Sequence, residues 1–164
     1  MKIRSIKANN HKKVFEVRTY KGAYEYSYAM LDLRPTNANP LTDFYVDDKL
    51  GDEAFTYTVA SGDEDTIHID RILEHNRDPA YMRDLLLYKL TIEAKKRVEE
   101  SGLSVRSISK MLGTSASQYY RLLDEENYRK SMDQMVNLFA VLGCTVDVNV
   151  SEPDKHANKS AVAA

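Results

Sequence analysis

Residues Leu103 to Leu123, LSVRSISKMLGTSASQYYRLL, constrain the fold more than any other stretch, because they predict two short helices joined at a glycine. Ser104 is placed to cap the first helix, and the apolar residues after it have the spacing of one buried helical stripe. These residues are Val105, Ile108, Met111 and Leu112. Gly113 then permits the left-handed backbone conformation that ends a helix at low steric cost.

The second predicted helix begins at Ser115, and Gln118 three residues later predicts a capping box. Tyr119, Leu122 and Leu123 form its inner face. Its outer face carries small and polar side chains, namely Ala116, Ser117, Tyr120 and Arg121. A short helix with such an outer face can enter a DNA major groove, so the two helices together predict a helix-turn-helix.

Composition places the chain among globular proteins, with 164 residues, 43% hydrophobic and 29% charged. No apolar run approaches the roughly 20 residues of a membrane helix, and MKIRSIKANN lacks the apolar core of a signal peptide. The single cysteine, Cys144, excludes an internal disulfide. We therefore expect a soluble cytoplasmic protein that does not contact a membrane.

Residues 1–78 predict a small antiparallel β-domain, because short β-prone runs alternate with turn residues. The predicted strands are Lys2–Lys7, Val14–Thr19, Ala23–Tyr28, Phe55–Val59 and Thr66–Ile69, the last two paired across Ser61-Gly62. Arg34 to Leu50 contains two prolines and several Asn and Asp residues, which predict a long loop.

Residues 79–150 predict a helical domain that contains the helix-turn-helix. Asp78-Pro79 is a helix start, and apolar residues recur every four positions up to about Ser101, at Met82, Leu86, Leu90, Ala94 and Val98. After the polar connection Asp124–Lys130, Ser131 and Gln134 predict a capping box on a last helix. Cys144–Val150 alternates as a strand, and residues 151–164 predict a disordered tail.

The pattern L-S-x-x-x-[IV]-[AS]-x-x-L-G, from Leu103 to Gly113, resembles the Xre / lambda-repressor-like helix-turn-helix DNA-binding family, and the likeness extends over about Leu90 to Leu142. SMDQMVNLFAVLG is similar to the family's next helix. The ending LGCTVDVNV is similar to an antitoxin-like subgroup in which a terminal strand replaces the fifth helix. SGDEDTIHIDRILEHN more weakly resembles small bacterial domains of unknown function. The fold class predicted is thus α+β, a β-domain followed by a lambda-repressor-like domain with a C-terminal strand.

The resemblance implies base-reading positions at Ala116, Ser117, Gln118 and Arg121. Val105 stands where the family often has a phosphate-binding glutamine, and Ser109 replaces a small alanine where the two helices cross. Three acids, Asp124, Glu125 and Glu126, follow the recognition helix, where many members carry neutral or basic residues.

The residues themselves leave alternatives at the DNA-binding positions. Arg121 could form a bidentate contact with guanine or clamp a phosphate. Gln118 could bind adenine or cap its own helix, Ser117 could contact phosphate directly or through water, and Tyr120 could touch phosphate, a thymine methyl group or solvent alone. With Ser115 at the helix start, the remaining candidates are charges for the DNA backbone that could equally be solvated: Arg106, Lys110, Arg129 and Lys130.

Other chemistry is weakly encoded. Tyr24, Tyr26 and Tyr28 share one strand face, which is either a partner surface or a sheet face covered by the long helix. His68 and His75, with nearby aspartates, have no defensible metal-ligand spacing, and Cys144 lacks a neighbouring histidine. The sequence therefore predicts no metal, no cofactor and no enzymatic activity.

The function predicted is a sequence-specific transcriptional regulator that binds double-stranded DNA as a homodimer. Residues 1–78 carry 11 Lys and Arg against 14 Asp and Glu, and residues 79–150 carry 10 against 9. Because phosphate contacts supply much of DNA affinity, so small a basic excess favours a dimer. The strand Cys144–Val150 is a candidate dimer edge. The alternative is an antitoxin that neutralises a basic toxin through the acidic β-domain and regulates its own operon.

Overall fold

The computed structural model describes residues 1–151 and has mixed α+β architecture, as the sequence predicts. The chain divides into two compact units, Met1–Tyr81 and a second that begins at Met82. Apart from residue 151, the predicted disordered tail lies outside the described residues. In the described part of the chain, no helix is long and apolar enough to cross a membrane.

The first unit contains two antiparallel sheets of three strands each, in which each strand pairs with the next along the chain. The first sheet consists of β1 (Ile3–Asn9), β2 (Val14–Thr19) and β3 (Ala23–Ser27), and the second of β4 (Leu41–Val46), β5 (Ala54–Val59) and β6 (Glu64–His68). Helix α1 (Ile69–His75) follows directly. The predicted hairpin across Ser61-Gly62 is confirmed, with Phe55 opposite Ile67.

One apolar core holds both sheets together. Strand β1 contacts β4 and α1 contacts both β3 and β6, so the two sheets and the helix surround a common interior. The fully buried Phe15 ring lies at its centre, 4.8 Å from the Phe55 ring and 5.5 Å from the Tyr57 ring, measured between centroids. The backbone N–H of Ile3 donates to the Asp52 carbonyl at 2.7 Å, which ties the first sheet to the β4–β5 turn.

Two predictions for this unit are wrong. The predicted loop from Arg34 to Leu50 contains β4, because Phe44 and Val46 turn toward the core despite the surrounding prolines and acids. Helix α1 was not predicted; Ile69, Ile72 and Leu73 form its buried face.

The tyrosine face of β3 is a covered sheet face. Tyr26 and Tyr28 are buried, and the covering helix is α1 rather than the long helix. Tyr26 contacts the ring of His75 edge to face at 5.3 Å. The hydroxyl of Tyr24 donates to Asp78 at 3.0 Å, and burial together with that hydrogen bond raises the pKa of Tyr24 to about 12.

The second unit contains four helices, of which the first begins in the first unit. They are α2 (Pro79–Ser101), α3 (Val105–Met111), α4 (Ala116–Leu123) and α5 (Met132–Val141). The capping box predicted at the start of α5 is confirmed, since Ser131 and Gln134 bond to each other's backbone N–H groups. The buried core is contributed by all four helices: Leu87, Ala94, Ile108, Tyr119, Leu122, Met135, Leu138 and Phe139.

The predicted four-residue stripe of α2 does not describe its buried face. Leu87, Thr91 and Ala94 are buried, whereas Met82 and Leu86 are exposed. A helix has 3.6 residues per turn, so residues spaced by four drift about 40° around the axis at each step. Over the length of α2 this drift carries the stripe from one side to the other.

The predicted C-terminal strand is also wrong. Residues 144–150 belong to no sheet. Cys144 and Val146 pack against the helical core, whereas Val148 and Val150 are 80% and 85% exposed. The alternation of valines is present, but a strand needs a neighbour to hydrogen-bond with, and residues 1–151 supply none.

Candidate nucleic-acid interface

Helices α3 and α4 form the predicted pair around a glycine turn. The Ser104 hydroxyl accepts a hydrogen bond from the Ser107 N–H at 3.2 Å and starts α3. Gly113 has φ +64°, the left-handed conformation that the sequence predicts. The backbone N–H of Thr114 donates to the Ser109 carbonyl at 2.9 Å, which closes the end of α3.

Helix α4 begins as predicted, with the Ser115 hydroxyl accepting from the Gln118 N–H at 3.2 Å. The reciprocal bond from the Gln118 side chain to Ser115 is not formed in residues 1–151, so the predicted capping box is half formed. Gln118 is exposed and lies beside Gln134 and Asn137 at the rim of a shallow groove. Its amide group is therefore not occupied by helix capping.

The two faces of α4 differ as the sequence predicts. Tyr119 and Leu122 are buried in the helical core. Tyr120 is 61% exposed, and the other predicted contact residues on this helix are exposed as well: Ser115, Ala116, Ser117, Gln118 and Arg121. Arg121 forms no ion pair with any residue that the structure describes. Its guanidinium is thus not committed to an acid within the chain.

Lys130 does not belong to the DNA-facing set, which corrects the prediction from sequence. The side chain is only 5% exposed, and its ammonium donates to the carbonyl oxygens of Leu122 at 3.0 Å and Asp124 at 2.6 Å. Burial lowers the pKa of this ammonium. Because the last carbonyls of a helix lack partners within the helix, Lys130 closes the C-terminal end of α4.

A second side chain supports the same helix end. The Asn127 amide donates to the Arg121 carbonyl at 2.9 Å, while its own carbonyl accepts the Arg129 N–H at 3.1 Å. Sequence analysis missed both roles. An asparagine in a polar connection is a turn signal, but its partner six residues earlier follows only from the fold.

The three acids after α4 are not equivalent. Glu125 pairs with Lys95 of α2, and the Asp124 carboxylate accepts the Glu126 N–H at 3.0 Å within its own turn. Asp124 nevertheless lines a shallow depression with Ser117, Tyr120 and Arg121. Negative charge thus remains at the end of the predicted DNA-binding face, which weakens attraction to phosphate there.

The remaining predicted backbone contacts, Arg106, Lys110 and Arg129, are exposed. Ser109 is buried between the helices, as expected for a small residue at a close crossing. Its hydroxyl has no hydrogen-bond partner among the described residues.

The histidines have local structural roles. His68 caps α1 by accepting the Asp70 N–H at 3.3 Å, and burial lowers the pKa of His75. Over residues 1–151, no group of three or more His, Cys, Asp or Glu side chains is arranged to hold a metal ion.

Comparisons of the chain with protein-family models, curated proteins and solved structures find no match. Function is therefore inferred from the geometry above.

Proposed function

We propose that the second unit is a lambda-repressor-like DNA-binding unit and that the protein is a sequence-specific transcriptional regulator. The observation that carries this proposal is the pair α3 and α4. A capped helix follows a left-handed glycine turn, buries Tyr119 and Leu122, and leaves Ser117, Gln118 and Arg121 exposed. Side chains of this kind on a recognition helix can bond to base edges in the major groove.

Arg121 is the residue that we expect to discriminate between bases. Its side chain is exposed and free of ion pairs among the described residues, so it could donate both bonds of a bidentate contact to guanine. Selection from a randomised duplex library should give a preferred site. Arg121→Ala should then weaken binding to that site by about 1–3 kcal/mol and relax one base position.

Arg129→Ala is the matched control, because this exposed arginine lies outside α4 and is proposed to contact phosphate. It should weaken binding to all sequences about equally. If Arg121→Ala also weakened all sequences equally, Arg121 would be a phosphate contact and base discrimination would lie elsewhere on α4. Absence of any selected site would count against the regulator itself.

We propose that the regulator acts as a homodimer, since two recognition helices about 34 Å apart can enter successive major-groove turns. Loss of the predicted strand at residues 144–150 removes the earlier candidate for the interface, so the proposal rests on charge and symmetry. Light scattering of the complex with a selected palindromic site should give two chains per duplex. One chain per duplex would overturn the dimer.

The second candidate function is that of an antitoxin that also binds its own operator. The observation favouring it is the charge of residues 23–78, which carry 13 Asp and Glu against 4 Lys and Arg. Such a surface suits a basic partner. Co-expression with a basic protein encoded next to this chain, followed by purification, should give a stable complex if this candidate is correct.

A further inference from the structure

DNA binding by the second unit alone lacks positive charge. Residues 79–150 have only one more cation than anions, and Lys130 is buried at the end of α4. Sequence-independent affinity for duplex DNA comes mainly from cations at phosphates. The rest of the chain is the place to look for those cations.

The first 22 residues carry seven Lys and Arg and a single acid, Glu16. This segment, which comprises β1, β2 and their connecting turns, is called the basic hairpin below. All seven cations are exposed: Lys2, Arg4, Lys7, Lys12, Lys13, Arg18 and Lys21. The next 56 residues have the opposite balance, so positive charge in the first unit is concentrated on this hairpin.

Strand register places two of the cations on the outer face of the sheet. Val17 and Thr19 are buried, so Arg18 between them points outward. Lys7 lies opposite Glu16, and Arg18 lies opposite Ser5. Lys7 and Arg18 are therefore diagonal neighbours on one face, about 7–8 Å apart by sheet geometry. Arg4 lies at the register shift beside them and is exposed.

Neighbouring acids are already engaged by other groups. Glu16 accepts a hydrogen bond from the Asn9 amide at 2.9 Å, and Glu25 pairs with Lys12 at 3.1 Å. Asp52 pairs with Lys2 at 3.3 Å. Within residues 1–151, Arg4, Lys7 and Arg18 form no ion pair, and neither do the turn lysines.

The aromatic rings of this sheet lie on its other side. Phe15 and Tyr26 are buried in the core, and the outer positions of β1 and β2 carry no aromatic side chain. Proteins that hold single-stranded nucleic acid add aromatic platforms on which bases stack. A face of cations without such rings fits a phosphate backbone better than unpaired bases.

We propose that the outer face of the basic hairpin binds the phosphate backbone of duplex DNA. This inference rests on the proposed function, because it supplies the sequence-independent part of the same DNA interaction. Arg4, Lys7 and Arg18 are the residues that contact phosphates. The hairpin raises affinity for every sequence, and α4 selects among sequences.

The test uses the full chain and a duplex of random sequence about 30 base pairs long. Kd is measured at roughly 50 and 200 mM salt for the wild type and for the triple variant Arg4→Gln, Lys7→Gln and Arg18→Gln. Each phosphate contact adds about 0.9 to the slope of log affinity against log salt. Loss of three contacts should make the variant's affinity fall about 40-fold less than the wild type's over this range.

The matched control changes three exposed cations of the first unit outside the hairpin: Arg34→Gln, Lys49→Gln and Arg77→Gln. The control has the same net charge as the triple variant, so it should keep the wild-type slope if the effect is local to the hairpin. Circular dichroism melting curves of both variants should match the wild type, because all the substituted side chains are exposed.

Three results would overturn the inference, and they differ in what else they exclude. Equal slopes for wild type and triple variant, with Arg121→Ala still altering site selection, would refute the hairpin and leave the proposed function intact. No binding of the wild type at the lower salt would refute both. A triple variant that lost affinity for single-stranded RNA of the same length, but not for the duplex, would identify RNA as the ligand instead.

Discussion

Replacing Lys130 by methionine should destabilise the second unit without changing the charge that faces DNA. Methionine keeps most of the buried aliphatic stem, but it cannot donate to the carbonyls of Leu122 and Asp124. The Leu122 carbonyl is in a buried setting, and an unsatisfied buried acceptor costs about 1–3 kcal/mol. The Asp124 carbonyl is nearer to water, and removing a buried ammonium recovers part of its desolvation energy. We expect a net loss of about 2 kcal/mol.

Urea unfolding followed by far-ultraviolet circular dichroism measures this loss, because α3, α4, α5 and most of α2 lie in the second unit. Lys110→Met is the matched control: Lys110 is exposed on α3 and should change the free energy of unfolding by less than about 0.5 kcal/mol. The reasoning would be refuted if Lys130→Met unfolded like the wild type while its DNA affinity lost about one unit of salt slope. That result would make Lys130 a phosphate ligand, as the sequence alone suggests.

Three further predictions concern single residues. Ser109→Ala removes a buried hydroxyl that has no partner in residues 1–151, so urea unfolding should show equal or greater stability, by up to about 1 kcal/mol, and a clear loss would mean that the hydroxyl is bonded. Gly113→Ala meets no atom within 4 Å but must adopt φ +64°, so it should lose about 1–2 kcal/mol, whereas Gly22→Ala, in open space without a positive φ, should lose less. Burial lowers the pKa of His75, so it favours the neutral form in the folded state; stability should be full above the unfolded pKa and fall as pH drops through the folded pKa. His75→Phe should flatten that decline in a pH series of melting curves, and an unchanged decline would assign it to another group.

The candidate site was predictable where its structure is decided by neighbouring residues. Ser104 and Ser115 accept N–H groups three residues ahead, and Gly113 supplies a conformation that other residues adopt only with strain. Each of these features depends on a segment of about four residues. Helix starts and the turn could therefore be predicted without knowing the rest of the molecule.

Features that depend on distant partners were predicted wrongly or not at all. Strand β4 lies in a segment with loop composition, yet it pairs with β5 because its apolar residues fill a core built by both sheets. Residues 144–150 have strand composition and no strand beside them. Alternation in sequence shows that a segment could bury one face, but hydrogen bonding to a neighbour decides whether it is a strand.

Lys130 shows the same division within the candidate site itself. Lysine is the residue type most expected in solvent, and its position after the recognition helix favours a phosphate contact. Only the tertiary structure brings it under the open carbonyls of α4, where three donors satisfy acceptors that the helix cannot. The sequence by itself determined where the helices begin and turn, because capping is local. The fold decided which charges remain available to DNA, because burial depends on the whole unit.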